Sequence, residues 1–564
     1  MPRFNRQQMK TATRDEIKDD AAELVVRRLA PWQQARGAEM VRPTWDAEKI
    51  RQELRCMRPH SGGAVYLRDP KAELFLLAAA NMAGRPTYYE GADTRERRFQ
   101  RLIREQALTD PEWTVGLLRW LRGVGTMRTT SLIGAAEFVH ARQQAGQHGH
   151  SRQAVSAVLQ RADEPGEFLE YWTTHYGRRL PMPVKRGVAD AVRRLYTGRA
   201  LLKYDTASAS FRFGDVLELT HPTPDPERPW QADVFRYALA RRHHPKRATP
   251  PADSELFVAH HALMAVPTAE RRAVVDAPDA AAVLAAAGMT WESLAGWLQG
   301  PLDAGAWEAV IPSMGAMALV RNLRNFDEAG IGEAATAEVV RRLCDRDEVV
   351  RSRQFPFRFL AAYRHADGAR WSRALETALG HSLGNVPSLP GRTLVLVDRS
   401  GSMFFTTEGP TELTRADAAA VFGTALALRS EAADLVEFGT GSKRIKAGPR
   451  DSVLETVGRF TECGGTNTAA AVEAHYAGHD RVVIITDEQA YPSGRDILAP
   501  VPADVPVYTW NLVGYAFGHA APGPRRYTFG GLSDAAFRLI PFIEAGGDGQ
   551  WPWSPDALGP MPTG

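Results

Sequence analysis

Two hydrophobic periods divide this chain. From Trp45 to Leu383 apolar residues recur at three- and four-residue intervals, the spacing of helices that bury one face. It predicts helices at Asp46 to Cys56, Pro70 to Met82, Thr130 to Gln144, Arg152 to Arg161, Glu167 to His175 and Val188 to Tyr196. Another starts at Asp110, an N-cap residue followed by Pro111 in the first turn. Further helices are expected within Ala277 to Leu298, Ala304 to Phe326, Ala334 to Asp345, Phe357 to Tyr363 and Arg370 to Leu383. An array of short helices without strand signals reads as an α-helical solenoid of stacked pairs, with no strict internal repeat.

Past Gly391 the pattern changes. Short apolar runs at Thr393 to Val397, Ala433 to Phe438, Arg481 to Glu488 and Val505 to Leu512 read as buried strands. They alternate with helical stretches at Thr414 to Ser430, Val453 to Thr461, Ala469 to Tyr476 and Gly531 to Glu544, and Ile445 centres a further short strand. Alternating strand and helix predicts a doubly wound α/β fold. The expected divisions are an arm at 1–45, a helical domain at 46–383, a Gly/Pro-rich linker at 384–391, an α/β domain at 392–550 and a loose tail at 551–564.

The chemistry concentrates where the strands end. Asp398, Ser400 and Ser402 follow the first strand at alternate positions, with Gly401 free to turn. Thr466 sits in a Gly-rich turn entering a helix, and Asp487 ends another strand. Open α/β sheets place their ligands at the carboxyl ends of parallel strands. Five oxygen-bearing residues with two carboxylates suit a hard cation such as Mg²⁺, which keeps several waters. The bland reading makes the serines helix caps and the aspartates surface turn residues, and it leaves the joint spacing unexplained. No G-x-S-x-G nucleophile elbow and no phosphate-binding G-x-x-x-x-G-K-[ST] loop occurs, so neither a hydrolase nor a nucleotide motor is indicated.

Charge adds an asymmetry. Of 69 basic and 66 acidic residues, 14 and 21 lie after position 375, leaving the front in net excess of +10 and the rear at −7. A polyanion would therefore bind the front. Lys185, Arg186, Lys203 and Arg212 concentrate charge beside Tyr204, a combination that can neutralise phosphates and stack a base. The same pattern fits a solvated helix face with core aromatic residues. Arg241 to Arg247 forms a second basic knot, expected as an exposed loop. Cys56, Cys344 and Cys463 are too scattered for a zinc knuckle or a disulfide framework. The charged first 20 residues lack the apolar core of a secretory signal, and no apolar run approaches membrane-spanning length. A cytoplasmic location is expected.

Helices followed directly by this metal motif resemble the Ro autoantigen family, the TROVE-domain RNA-binding proteins with a von Willebrand factor A domain. The resemblance is carried by the stretch Pro181 to Pro222, by I-P-S-M-G-A-M-A-L-V-R-N-L-R-N-F at 311–326, by Q-F-P-F-R-F at 354–359 and by A-A-N-M-A-G-R-P-T-Y-Y-E at 79–90. It implies a HEAT-like solenoid closed into a ring by the A domain, acting without catalysis. It implies binding of Y-like small RNAs and of single-stranded 3′ ends of misfolded or precursor RNAs, sometimes with an exoribonuclease tethered through RNA. Lys203 and His221 match positions on the family's RNA-binding surface, and Lys185, Arg186, Arg212, Arg321 and Arg324 complete the expected RNA contacts. The implied Mg²⁺ ligands are Asp398, Ser400, Ser402, Thr466 and Asp487, in a monomer with no membrane partner. Thr206 to Ser210 is neutral where vertebrate members carry more basic charge. The rival reading is a protein-interaction scaffold whose metal site grips a partner's carboxylate.

Overall fold

The computed structural model describes residues 66–67, 70–80, 92–125, 127–352, 354, 356–365, 369–382, 386–405, 414–448, 451–489, 496–514, 517–520, 523, 525–530, 539–544, 551 and 553. The expected arm, the helix at Asp46 to Cys56 and the aromatic stretch at 81–90 lie outside them, as does Cys56.

The helical array opens with Pro70–Ala80, Ala92–Thr109, Pro111–Gly123 and Arg128–Gln144, each packed on its neighbours. Asp110 caps the third through a 3.1 Å bond from the Trp113 amide, as its sequence indicates. Ala92–Thr109 escaped the periodicity because its charged residues outnumber a narrow stripe of Phe99, Leu102, Ile103 and Ala107, all fully buried. The basic helix runs Met182–Leu195, starting ahead of Val188, because Pro183 occupies the first turn where no amide hydrogen is required. Phe213–Thr220, with Phe213, Val216 and Leu217 buried on one face, extends the array, as do Trp230–His243 and Glu255–Ala265, which lack a clear apolar period of their own.

The rear forms a six-stranded sheet from β2 (Leu389–Asp398), β3 (Ser430–Phe438), β4 (Ser442–Ile445), β5 (Arg481–Thr486), β6 (Val507–Asn511) and β8 (Arg526–Gly530). The spatial order is β4-β3-β2-β5-β6-β8, with β4 antiparallel and the others parallel. Counted within this sheet alone, that is the doubly wound order 3-2-1-4-5-6, whose switch point lies between β2 and β5. β2 begins inside the stretch expected as linker. Leu394 and Leu396 enter one core, while Val395 and Val397 enter another, so both faces are covered.

Hydrophobic packing ties the two halves together. One core covers the front helices from Leu74 to Phe257, and a second runs from Leu263 into the sheet. Both ends of the array meet the α/β domain. At the front, β1 (Tyr66–Leu67) pairs antiparallel with β7 (Phe517–Gly518). There Arg95 and Arg98 donate to the carbonyls of Val513 and Gly514, at 2.7 and 2.9 Å. At the rear, Arg364 makes two 2.8 Å bonds to Asp417. These are the contacts that closure through the α/β domain requires. The tail corrects an expectation: Trp551 and Trp553 are half-buried against Phe75, Trp113 and Trp120, at centroid distances of 5.1–6.1 Å. Two indoles carry more apolar area than the surrounding Pro and Gly can leave in water.

Candidate metal centre and basic surface

β2 delivers Asp398 to the sheet edge, and β5 delivers Thr486 and Asp487 beside it across the switch point. Asp398, Ser400, Ser402, Thr466 and Asp487 are all buried, with Asp398 and Asp487 at 0% exposure. That removes the surface-turn reading of the aspartates. The Asp398 carboxylate accepts from the Ser400 amide at 2.8 Å and from the Thr486 hydroxyl at 2.5 Å. The Ser402 hydroxyl lies near enough to Asp487 to favour its ionised carboxylate, and the two serine hydroxyls lie 3.4 Å apart. Ser400 precedes the short turn of 3₁₀ helix at Gly401–Phe404 and makes no side-chain cap there. Its hydroxyl is not spent on the helix.

Thr466 comes in on a different loop. The Gly464 carbonyl accepts from the Gly401 amide at 2.7 Å, and Gly464 takes φ +75°, a conformation that glycine adopts at little cost. Asn467 then caps the helix Thr468–His475. The structure thus brings Asp398, Ser400, Ser402 and Asp487 together directly and joins the Thr466 turn through backbone bonds.

The electrostatics fit a cation. Burial, followed by the neighbouring Asp398 charge, pushes the Asp487 carboxyl up to about 7. Burial likewise raises Asp398, against the pull of its hydroxyl and amide donors. One oxygen of Asp487, Oδ2, is buried with no hydrogen-bond partner. Two adjacent buried carboxylates with an unmatched oxygen make a costly arrangement that a divalent ion would relieve. When bound, such an ion would supply Lewis-acid attraction for an anionic oxygen. Asp398 and Asp487 would hold it, with the Ser400, Ser402 and Thr466 hydroxyls as neutral ligands.

Four neighbours of this site went unread in the sequence. Thr486 fixes one Asp398 oxygen. Arg399 is buried, donates to the Thr461 carbonyl at 2.9 Å and lies 4.6 Å over the Phe404 ring, fastening the first loop to the second. Glu488 and Asn511, both buried, bond to each other at 2.5 Å. The T-D-E triplet was the signal for the first and third; nothing local marked Arg399 or Asn511.

The basic candidates divide. Arg186, Lys203, His221, Arg321 and Arg324 are exposed and Lys185 is half-buried. Among the described residues, no carboxylate pairs with Lys185, Arg186, Lys203 or Arg321. The Lys203 ammonium lies 5.1 Å from the Tyr204 ring centre. Arg212 is different: it is spent on buried Asp205 at 2.7 Å. Arg324 pairs with Glu328 along its own helix. His221 ends Phe213–Thr220 in the left-handed conformation, φ +49°. Arg321 and Arg324 sit on Ala316–Ala329, whose apolar face joins the second core rather than the core beneath Lys185 and Lys203. The knot at 241–247 is not wholly a loop. Arg241, Arg242 and His243 form the last helical turn and face Asp205, Asp215 and Glu218, three carboxylates that only the fold brings near.

Comparison with known proteins follows this geometry. The sequence model of the TROVE domain matches residues 288–369. None of the curated proteins matches the chain. Among solved structures, the crystal structure of the Deinococcus radiodurans RO (RSR) protein is similar at a TM-score of 0.56 and 20% identity. The alignment covers 82% of this chain and 97% of that one. Among the described residues, no helix is long and apolar enough to cross a membrane. Residues 288–369 thus match the TROVE domain, and the chain as a whole has the fold of the Ro protein.

Proposed function

We propose that this chain is a non-catalytic RNA-binding protein of the Ro type, serving non-coding RNA quality control in the cytoplasm. It binds Y-like small RNAs and the single-stranded 3′ ends of misfolded or precursor RNAs. The observation that carries the reading is the set of cations without carboxylate partners among the described residues, Lys185, Arg186 and Lys203, beside Tyr204 in the fold of the Ro protein. Unpaired cations release counterions from a phosphate backbone, and an adjacent ring stacks bases with little sequence preference. Arg212 and Arg324, being paired, contribute less than their charge implies. The protein acts as a monomer, and an exoribonuclease is a partner reached through bound RNA.

The cation site completes the α/β domain and holds Mg²⁺ apart from the RNA surface. The reading is tested by RNA affinity at several salt concentrations. Lys203→Gln should weaken single-stranded RNA binding and reduce the log–log salt slope by about 0.7. An unchanged slope and affinity would remove Lys203 from the interface.

A further inference from the structure

We propose that cation binding at the sheet edge is coupled to docking of the first helices on that sheet, through one buried chain of hydrogen bonds. The proposal rests on the metal reading above. It concerns what the surrounding residues do with that site.

The chain starts at Asp398. Its Oδ2 accepts from the Thr486 hydroxyl, and the Thr486 oxygen in turn accepts from the Glu488 amide at 2.9 Å. The Glu488 carboxylate accepts from the Asn511 side-chain amide at 2.5 Å and faces the His519 amide at 3.4 Å. The Asn511 side-chain oxygen Oδ1 accepts from the backbone amides of Val513 and Gly514, at 2.8 and 2.6 Å. The carbonyls of those two residues receive Arg95 and Arg98, from the helix Ala92–Thr109. Thr486, Glu488, Asn511, Val513 and Arg95 are each at most 5% exposed, so water offers little substitute for a broken link.

Two backbone features make the chain responsive to a shift at either end. Glu488 holds φ +63°, which a residue with a Cβ keeps only where its surroundings impose it. It directly follows Asp487, so ordering that carboxylate around a cation acts on the strained residue itself. Gly514, at φ +73°, lies so close to the first helix that a Cβ would come 2.7 Å from the Leu76 carbonyl oxygen. Any movement of this turn is therefore felt by Pro70–Ala80 as well. Coupling requires that the same elements be biased from both sites, and it acts reciprocally.

The test uses the full-length protein and Mg²⁺ alone. Amide hydrogen exchange in residues 92–109 is compared with and without Mg²⁺. Mg²⁺ affinity is measured by calorimetry for the wild type, Arg95→Met and Arg481→Met. Arg481 pairs with Glu544 at the opposite end of β5 and serves as the control. Coupling predicts exchange slowed at least about fivefold by Mg²⁺, an affinity at least about fivefold weaker in R95M, and an unaltered R481M. Mg²⁺ binding to the wild type with unchanged exchange would overturn the proposal while leaving the metal reading in place. Absence of Mg²⁺ binding to the wild type would overturn both. If R95M does not fold, the wild-type exchange comparison decides alone.

Discussion

Replacing Asp417 by Asn tests how the rear of the helical array is fastened. Asp417 is 8% exposed in its side chain, and Arg364 is 46% exposed. The carboxylate accepts both 2.8 Å bonds from Arg364 and also the Thr414 amide and hydroxyl, at 3.0 and 2.8 Å. Asn keeps a carbonyl oxygen for Thr414 but loses the charge and one of the two acceptors facing Arg364. Hydrogen bonds to charged groups contribute roughly 1.5–3 kcal/mol, and the half-exposed guanidinium is screened, so the expected loss is about 1 kcal/mol. That corresponds to roughly fivefold faster exchange of the amides in Pro356–His365 at pH 6. Burial raises the Asp417 pKa, but the Arg364 and Thr414 bonds outweigh it and leave the group below its ordinary value. A depressed folded-state pKa stabilises fully above the unfolded value of about 3.9 and is lost as pH falls through the folded one. Wild type and variant should therefore converge as the pH falls through the depressed folded-state value. Equal exchange at pH 6, or a gap that persists undiminished in acid, would refute the assignment.

Three further outcomes follow from individual contacts. Gly116→Val should loosen the aromatic seal, because a Cβ there would stand 2.4 Å from the Trp553 ring. Overpacking of this kind costs about 1–3 kcal/mol, read as a lower unfolding midpoint with red-shifted tryptophan emission. On the proposal that the metal site and the RNA surface are separate, Asp398→Ala should abolish Mg²⁺ uptake in calorimetry yet leave RNA affinity unchanged. Neutralising Lys203 should lower the salt slope, whereas neutralising Arg212 should chiefly reduce thermal stability, because its charge is matched by Asp205.

The sequence was most legible where one period dominates. Buried strands such as Val482 to Ile485 read directly, and so did the alternation of strand and helix, because a sheet covered on both faces leaves uninterrupted apolar runs. The metal candidates were legible for a related reason: Asp398, Thr466 and Asp487 each sit where a strand ends or a helix begins, positions marked by Gly and hydroxyl residues. Partnerships across distance were not legible. Arg212 and Lys203 look alike along the chain, and only the fold shows that one faces Asp205 and the other faces solvent. Ala92–Thr109 was hidden by its own charge, although two of those arginines, Arg95 and Arg98, grip the turn after β6. Trp551 and Trp553 sit amid Pro and Gly, and their role depends on a notch at Gly116, more than 400 residues earlier.

The central claim is tested most directly by crosslinking and sequencing the RNA that co-purifies with the protein from native cells. A variant with Lys185, Arg186 and Lys203 all replaced by Gln serves as the comparison. The account predicts enrichment of structured small RNAs and 3′-extended precursors in the wild type, lost in the triple variant. A wild-type preparation free of nucleic acid would contradict it and leave the metal centre as the working surface of a protein-binding scaffold.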